Sequence, residues 1–256
     1  MSSPAPNFEG KVAMITGGGS GIGRASAQAF SAAGAKVLVA DLDPIAGEAC
    51  VADLRSRGGI ALFVRTDVTR AEDVDHAVNL AMQTWGRLDC AHNNVGGGVS
   101  HLDLLDDTEA QWLRTLDLNL VSIWRCMKAQ LPPMITAGGG AIVNTAAAAA
   151  FKVVDAAPVA YSVAKAGVVH LTRIAGVRYA AQGVRINAVS PGLTETPGAT
   201  GSLQEHEIRQ AATALHAIPR AGQPRELADA VLWLCSDAAS FITGVTLPVD
   251  GGMVAK

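Results

Sequence analysis

Tyr161 and Lys165 close the run Tyr161-Ser162-Val163-Ala164-Lys165, a spacing that puts both side chains on one face of a helix, one turn apart. A tyrosine and a lysine so placed are usually an exposed surface pair. Chemistry needs a reason for the phenol to exchange a proton near neutrality, because a free tyrosine ionises near 10. A neighbouring ammonium supplies part of that reason by favouring the phenolate. The rest lies far away in the chain, in the run TGGGSGIG from Thr16 to Gly23. Its glycines let a backbone turn tightly and approach a pyrophosphate, which free N–H groups at the positive end of a helix then hold. Gly17, Ser20, Gly21, Ile22 and Gly23 are the candidate cofactor-binding residues of this turn. With a nicotinamide dinucleotide bound there, the positive ring adds to the ammonium, and Lys165 gains a second role as hydrogen-bond donor to the nicotinamide ribose.

The elements that must position these residues follow from hydrophobic patterning. Apolar runs at 12–16, 36–40, 61–66, 88–91, 141–145, 185–189 and 245–249 are short, show little polar alternation and end in turn-forming or polar residues. Strands buried on both faces of a parallel sheet read this way. Helix candidates lie between them, at 23–33, 46–56, 71–84 and 226–235. The alternation predicts one α/β domain over residues 1–256, a doubly wound parallel sheet of about seven strands with helices on both faces and ligands at the carboxyl ends of the strands. The second run leads into Asp41, about 20 residues beyond the glycine turn, where a carboxylate accepts hydrogen bonds from the adenosine ribose hydroxyls. The same charge repels a 2′-phosphate, and no Arg or Lys follows it directly, so the expected cofactor is NAD rather than NADP. The competing role for Asp41 is a cap on the next helix. Residues 194–219 carry turn residues (TETPGATGS) and then an amphipathic stretch at 203–215 with no adjoining strand. Placed after a strand end, the segment suits a substrate lid, with an ordinary surface helix as the alternative. The carboxylates of LDLLDDTE, 103–109, are expected to start a helix and form its solvated face.

Composition narrows the partners. The 23 acidic and 20 basic residues are mixed along the chain and leave a net charge of −3, so there is no basic face for nucleic acid. Cys50, Cys90, Cys126 and Cys235 form no C-x-x-C pair, and His76, His92, His170, His206 and His216 show no metal spacing. No metal is expected, and the histidines read as structural or surface residues, except that His206 and His216 fall in the lid segment and could touch substrate. The N-terminal residues lack the pattern of a signal peptide, and no apolar run is long enough to span a membrane. A cytoplasmic protein acting on a small molecule is the expectation. The 49% hydrophobic content overstates the core, because 46 of the residues are alanine.

With these residues in place the chain resembles the short-chain dehydrogenase/reductase family over almost its full length, from Gly10 to Gly252. Beyond TGGGSGIG and Asp41 the resemblance rests on Asp67-Val68 after the third strand, Asn93-Asn94-Val95-Gly96 after the fourth, Asn119 in LDLNL, Tyr161 and Lys165, the INAVSPG at 186–192, and ITGVTLPVDGG at 242–252. It implies that Asp67 and Val68 contact the adenine, and that Asn94 and Gly96 support the sheet and the adenosine side. It also implies that Asn119 extends a proton path through a water beside Lys165. Pro191, Gly192, Thr194 and Thr196 would hold the nicotinamide carboxamide. The implied activity is NAD-dependent interconversion of a secondary alcohol and a ketone, with Asn119, Tyr161 and Lys165 as catalytic residues. The implied assembly is a homotetramer, or a dimer.

One feature departs from the family. Its fourth catalytic residue is a serine just after the fifth strand, and here that strand runs into five alanines, 146–150. The position falls at Ala147, or at Ala148 on a tighter count from Tyr161. Losing one preorganised oxyanion donor typically costs on the order of 10²- to 10³-fold in rate, which predicts a slow enzyme rather than a dead one. Three explanations stay open: an introduced replacement, a donor from the loop 96–103 (Ser100 or His101) or the lid, or a substrate such as an iminium that needs no oxyanion donor. A catalytically silent NAD-binding or sensor protein is the competing class, against which the retained Tyr161, Lys165 and Asn119 argue.

Overall fold

A computed structural model describes residues 7–97, 101–201 and 203–256. Seven strands form one parallel sheet in the order β3-β2-β1-β4-β5-β6-β7. They are β1 (Val12–Thr16), β2 (Lys36–Asp41), β3 (Ala61–Arg65), β4 (Cys90–Asn93), β5 (Gly140–Thr145), β6 (Val184–Pro191) and β7 (Thr246–Val249). The helices are α1 (Gly21–Ala32), α2 (Pro44–Ser56), α3 (Ala71–Trp85), α4 (Glu109–Leu116), α5 (Ser122–Thr136), α6 (Val159–Tyr179), α7 (Pro197–Thr200), α8 (Glu205–Leu215) and α9 (Pro224–Cys235). The predicted doubly wound architecture is what the chain adopts.

The apolar runs carry no polar alternation because both faces of the sheet are covered. Met14, Leu38, Ile142 and Ile186 pack with residues of α3, α5 and α6. Their chain neighbours Ile15, Val39 and Val143 pack on the opposite face with Phe30 of α1, Leu54 of α2 and Val231 of α9. Each such side chain, fully buried, contributes about 1.5–3 kcal/mol of transfer free energy. The strand order reverses between β1 and β4, and a crevice therefore opens where their carboxyl ends diverge.

Local chemistry sets the element ends, and here the expectations need correction. α9 begins at Pro224, ahead of the expected 226, because Gln223 and Glu226 form a reciprocal capping box with proline in the first turn. β4 begins at Cys90 rather than 88; Leu88 is buried, but the Val12 N–H of β1 donates to the Asp89 carboxylate instead of to a main-chain carbonyl, while the Asp89 main chain bonds Val12 and Ala141. Of the carboxylates at 103–109, Glu109 opens α4 in its exposed first turn as expected, and Asp103 and Asp106 are exposed as well, but those at 103–107 precede the helix. Asp103 accepts from the Leu105 N–H and Asp107 from the His101 N–H, which makes turns, and α4 starts only after Thr108, whose hydroxyl caps the Gln111 N–H. Between α4 and α5 the backbone widens into a single π-helical turn, Asp117–Val121, with Asn119 at its centre. Such turns gather at functional sites.

The segment 194–219 contains two helices, α7 and α8, and its base is closed by a parallel bridge between Thr194 and Gly222. Thr196 lies over the first turn of α1: a Cβ on Gly21 would sit 3.2 Å from the Thr196 side chain.

Candidate active site

The glycine turn is shaped by close approach. Gly17 and Gly21 have φ of +64° and +50°, conformations that favour glycine. Gly23 packs against the Gly17 carbonyl so tightly that a Cβ there would overlap its oxygen. Ser20 precedes α1, is exposed and makes no side-chain cap. It and the first-turn N–H groups of Gly21, Ile22 and Gly23, which lack helical acceptors, line a cradle for an anion. The residues thus fit a pyrophosphate.

Asp41 does not cap α2. That role belongs to Asp43, whose Oδ1 accepts from the N–H groups of Ile45 and Ala46. The Asp41 carboxylate is held in place from two sides, Oδ2 accepting from the Gly19 N–H at 2.8 Å and Oδ1 from the Asp43 N–H at 3.0 Å. Half-buried, it stands beside the glycine turn with lone pairs to spare. Further along the crevice, Asp67 is held below the usual carboxylate range chiefly by the Thr69 hydroxyl, 2.6 Å from its Oδ1. The Val68 side chain is buried with Val74 and Cys126. Asn94 ties the ends of β4 and β1 together through the Thr16 hydroxyl and the Gly17 carbonyl. Asn93 is turned into the core, bonded to Gln130 and Asn144.

At the other end of the crevice α6 presents Tyr161 and Lys165. The Lys165 ammonium, 1% exposed, donates to the Thr145 carbonyl at 2.8 Å and lies 5.7 Å from the centroid of the Tyr161 ring. Burial pulls Lys165 down to about 8 and pushes the half-buried Tyr161 up to about 12. The second shift corrects a simple expectation: in the protein alone desolvation outweighs the attraction of the ammonium, and the phenol is raised rather than lowered.

Asn119 is fully buried and clamps the chain leaving β4. Its Oδ1 accepts from the Gly97 N–H at 3.0 Å, and its amide donates to the carbonyls of Gly97 and Thr115 at 2.8 and 2.9 Å. Gly96 lies between it and the lysine, since a Cβ on Gly96 would sit 2.9 Å from both Asn119 Oδ1 and Lys165 Nζ. Those two atoms are therefore less than about 6 Å apart, within the span of one bridging water.

The alanine run follows directly on Thr145. Ala147 and Ala148 are both buried, and residues 148–150 form a 3₁₀ turn packed on α6. Neither carries a hydroxyl. Of the alternative donors, Ser100 lies outside the described residues, and the His101 ring, exposed, bonds Gln111.

β6 delivers Pro191 and Gly192 toward the same crevice. The Thr194 hydroxyl donates to the Gly192 carbonyl, and the Thr196 hydroxyl caps α7 at Ala199. In the lid segment, exposed His206 lines a concavity of about 820 Å³ along α8 with Gln204, Gln210 and Thr213, whereas His216 is buried at the segment's base. Two residues without a motif of their own also belong to the site's frame. Thr145 gives Lys165 its acceptor through the main chain, and buried His92, held neutral by desolvation that lowers it to about 3, bonds the Thr145 hydroxyl at 3.0 Å. No sequence pattern marks a backbone carbonyl or a lone core histidine.

A family model described as "Enoyl-(Acyl carrier protein) reductase" matches residues 17–254. Together with the cradle, the Tyr161–Lys165 face and Asn119, this decides the matter. The chain belongs to the short-chain dehydrogenase/reductase family. It is 40% identical over 253 residues to a 2,5-dichloro-2,5-cyclohexadiene-1,4-diol dehydrogenase of Sphingobium indicum, covering 97% of this chain and 99% of that one. It is 39% identical over 251 residues to a cyclohexanol dehydrogenase of an Acinetobacter species, covering 97% of each. Among solved structures, a 7α-hydroxysteroid dehydrogenase complexed with NADH and 7-oxo glycochenodeoxycholic acid superposes with a TM-score of 0.90 at 33% identity, covering 98% of this chain and 96% of that one. This short-chain dehydrogenase/reductase is thus an oxidoreductase that interconverts a secondary alcohol and a ketone with a nicotinamide cofactor. Among its described residues no helix is long and apolar enough to cross a membrane, and no cluster of His, Cys, Asp or Glu is placed to hold a metal ion.

Proposed function

We propose that the protein is an NAD-dependent dehydrogenase of alicyclic secondary alcohols, with Tyr161 as its acid/base. The observation that carries this reading is the meeting of Lys165, Asn119 and Gly96 beside Tyr161, at the end of a crevice whose other end is the glycine cradle flanked by Asp41. Ser20, Gly21, Ile22 and Gly23 would hold the pyrophosphate, Asp41 the adenosine ribose, Asp67 and the Val68 backbone the adenine, and Pro191, Gly192, Thr194 and Thr196 the nicotinamide side. When bound, the cofactor supplies the hydride acceptor for alcohol oxidation and the donor for the reverse.

The chain's own residues do the rest. Tyr161 takes the alcohol proton at its phenolic oxygen, a step that its burial alone opposes. Lys165 offsets this with a positive charge, to which an oxidised nicotinamide held in the crevice would add. Because Lys165 is lowered only to about 8, it stays mostly protonated near neutrality. One of its three N–H donors is committed to Thr145, which leaves donors for the cofactor ribose and for a water shared with Asn119. At Ala147 or Ala148 no hydroxyl helps to hold the substrate oxygen. The relatives named for cyclohexane-type alcohols support an alicyclic substrate, as do the exposed apolar side chains of Leu102, Leu104, Leu105, Phe151 and Val153 after β4 and β5.

Four free, buried cysteines support a reducing, cytoplasmic setting. Exposed Leu113, Trp124, Val163 and Val177 on α4 to α6 support self-association as a homotetramer or dimer. The segment 194–219 is proposed as the substrate lid. The test is spectrophotometric: NAD mixed with cyclohexanol and substituted cyclohexanols should be reduced in the presence of the protein. Absence of reduction across alicyclic and open-chain secondary alcohols, with the reverse reaction on the ketones also absent, would overturn the reading.

A further inference from the structure

His216 follows the last residue of α8 as its C-cap, and it is buried. Both ring nitrogens are engaged, by groups of opposite character. Nε2 lies 3.0 Å from the Leu193 N–H, a donor, and Nδ1 lies 2.7 Å from the Arg220 carbonyl, an acceptor. Only the neutral ring with its proton on Nδ1 satisfies both. The ring also fills the space beside the chain leaving β6: a Cβ on Gly192 would sit 2.6 Å from Nε2 and 3.0 Å from the Asp250 Cα. Gly251, at φ +59°, packs on its other side, and the Gly251 carbonyl accepts from both Ala217 and Ile218. Arg220 in turn is anchored by a two-pronged ion pair to Glu226 in the first turn of α9, an interaction that lowers Glu226 to about 2.

One imidazole therefore joins the exit of β6, the end of the 194–219 segment and the C-terminal turn after β7. Leu193 directly follows Pro191 and Gly192, and its N–H has an acceptor in the His216 ring. We infer that His216 is a positioning residue: by accepting from the Leu193 N–H it fixes the Pro191–Thr194 backbone in the form that receives the nicotinamide end of the cofactor. This rests on the proposed assignment of that segment to the nicotinamide.

Two substitutions separate the ring's two bonds. In His216→Gln the amide oxygen reaches the Nε2 position and keeps an acceptor for Leu193 while losing the link to Arg220. In His216→Asn the amide reaches only the Nδ1 position, keeps the link to Arg220 and strands the Leu193 N–H. Both lose one hydrogen bond, so a purely structural role predicts similar thermal midpoints and similar effects on cofactor. The positioning role predicts that His216→Asn weakens NADH binding about tenfold and raises KM for NAD more than it lowers kcat, while His216→Gln stays within about threefold of the wild type. NADH fluorescence titration and thermal melting of the full-length variants give both readouts. Equal NADH affinity in the two variants, or a loss that follows the melting temperature rather than the retained bond, would overturn the inference. If the wild-type protein binds no NADH, the cofactor reading itself falls; if it binds and the variants do not differ, only the role of His216 falls.

Discussion

Asp41 is the residue whose charge should choose between the two nicotinamide dinucleotides, and the structure allows the effect to be sized. Its two oxygens are held by the Gly19 and Asp43 N–H groups, so the carboxylate cannot swing away from a group placed beside the glycine turn. A 2′-phosphate at about 4 Å would be repelled by about 1 kcal/mol per unit charge in water and about 4 kcal/mol at an effective dielectric of 20. Asp41 is half-buried, which places it between those limits. With roughly 1.5 to 2 charges on the phosphate, a penalty of roughly 3 kcal/mol follows, on the order of 100-fold in affinity. Asp41→Asn removes the charge without changing the shape. Its amide oxygen can still accept from Gly19, and the Asp43 N–H, being exposed, can turn to water. NADH should then bind about tenfold more weakly, for want of a charged acceptor on the ribose, and NADPH about tenfold more tightly, the relief of the roughly 100-fold repulsion being partly offset by the same weakened acceptor. Titrations of both proteins with both dinucleotides, followed by fluorescence at fixed ionic strength, give the four constants. Equal affinity of the wild type for NADH and NADPH, or a ratio unmoved by Asp41→Asn, would refute the argument.

Two further substitutions test other parts of the site. Lys165→Met should abolish turnover yet stabilise the cofactor-free protein near neutral pH. The displacement of the lysine from 10.5 to about 8 by burial corresponds to roughly 3 kcal/mol of destabilisation, of which the lost bond to the Thr145 carbonyl takes back about 1. Because the folded value lies below the unfolded one, the wild type carries the whole penalty below about pH 8 and sheds it as the pH rises toward 10.5. Thermal melts of the two proteins should therefore converge over that interval, and a variant less stable than the wild type at pH 7 would contradict the assignment. Ala147→Ser should raise kcat for alcohol oxidation on the order of 100-fold with NADH affinity unchanged; no rise from this change or from Ala148→Ser would show that the alanine run does not limit the reaction.

Much of this was legible from local pattern. Strands buried on both faces leave unbroken apolar runs, and the Tyr161–Lys165 pair and the glycine turn each lie within a few residues of sequence. The starts of α9 and β4 lie two residues from where the apolar pattern puts them, because side chains set them: the Gln223–Glu226 capping box and the Asp89 carboxylate that takes the Val12 N–H. In the acidic run 103–109 only Glu109 enters α4, while Asp103 and Asp107 satisfy nearby N–H groups in turns, a use that composition does not distinguish from a helix start. What stayed hidden is what acts through space. The π-turn that sets Asn119 against Gly97, the Thr145 carbonyl that receives Lys165, and the His216 ring that reaches Leu193 across 23 residues all depend on tertiary placement.

Tyr161 is the group proposed to move the proton while hydride passes to or from the cofactor. The most direct test compares wild type and Tyr161→Phe in NADH formation from NAD and cyclohexanol, with NADH binding measured in parallel. Loss of the hydroxyl alone should lower kcat on the order of 10²- to 10⁴-fold and leave the NADH dissociation constant within about threefold, because the phenol acts on the transition state rather than on cofactor binding. A variant that oxidises the alcohol at an undiminished rate would contradict the central claim.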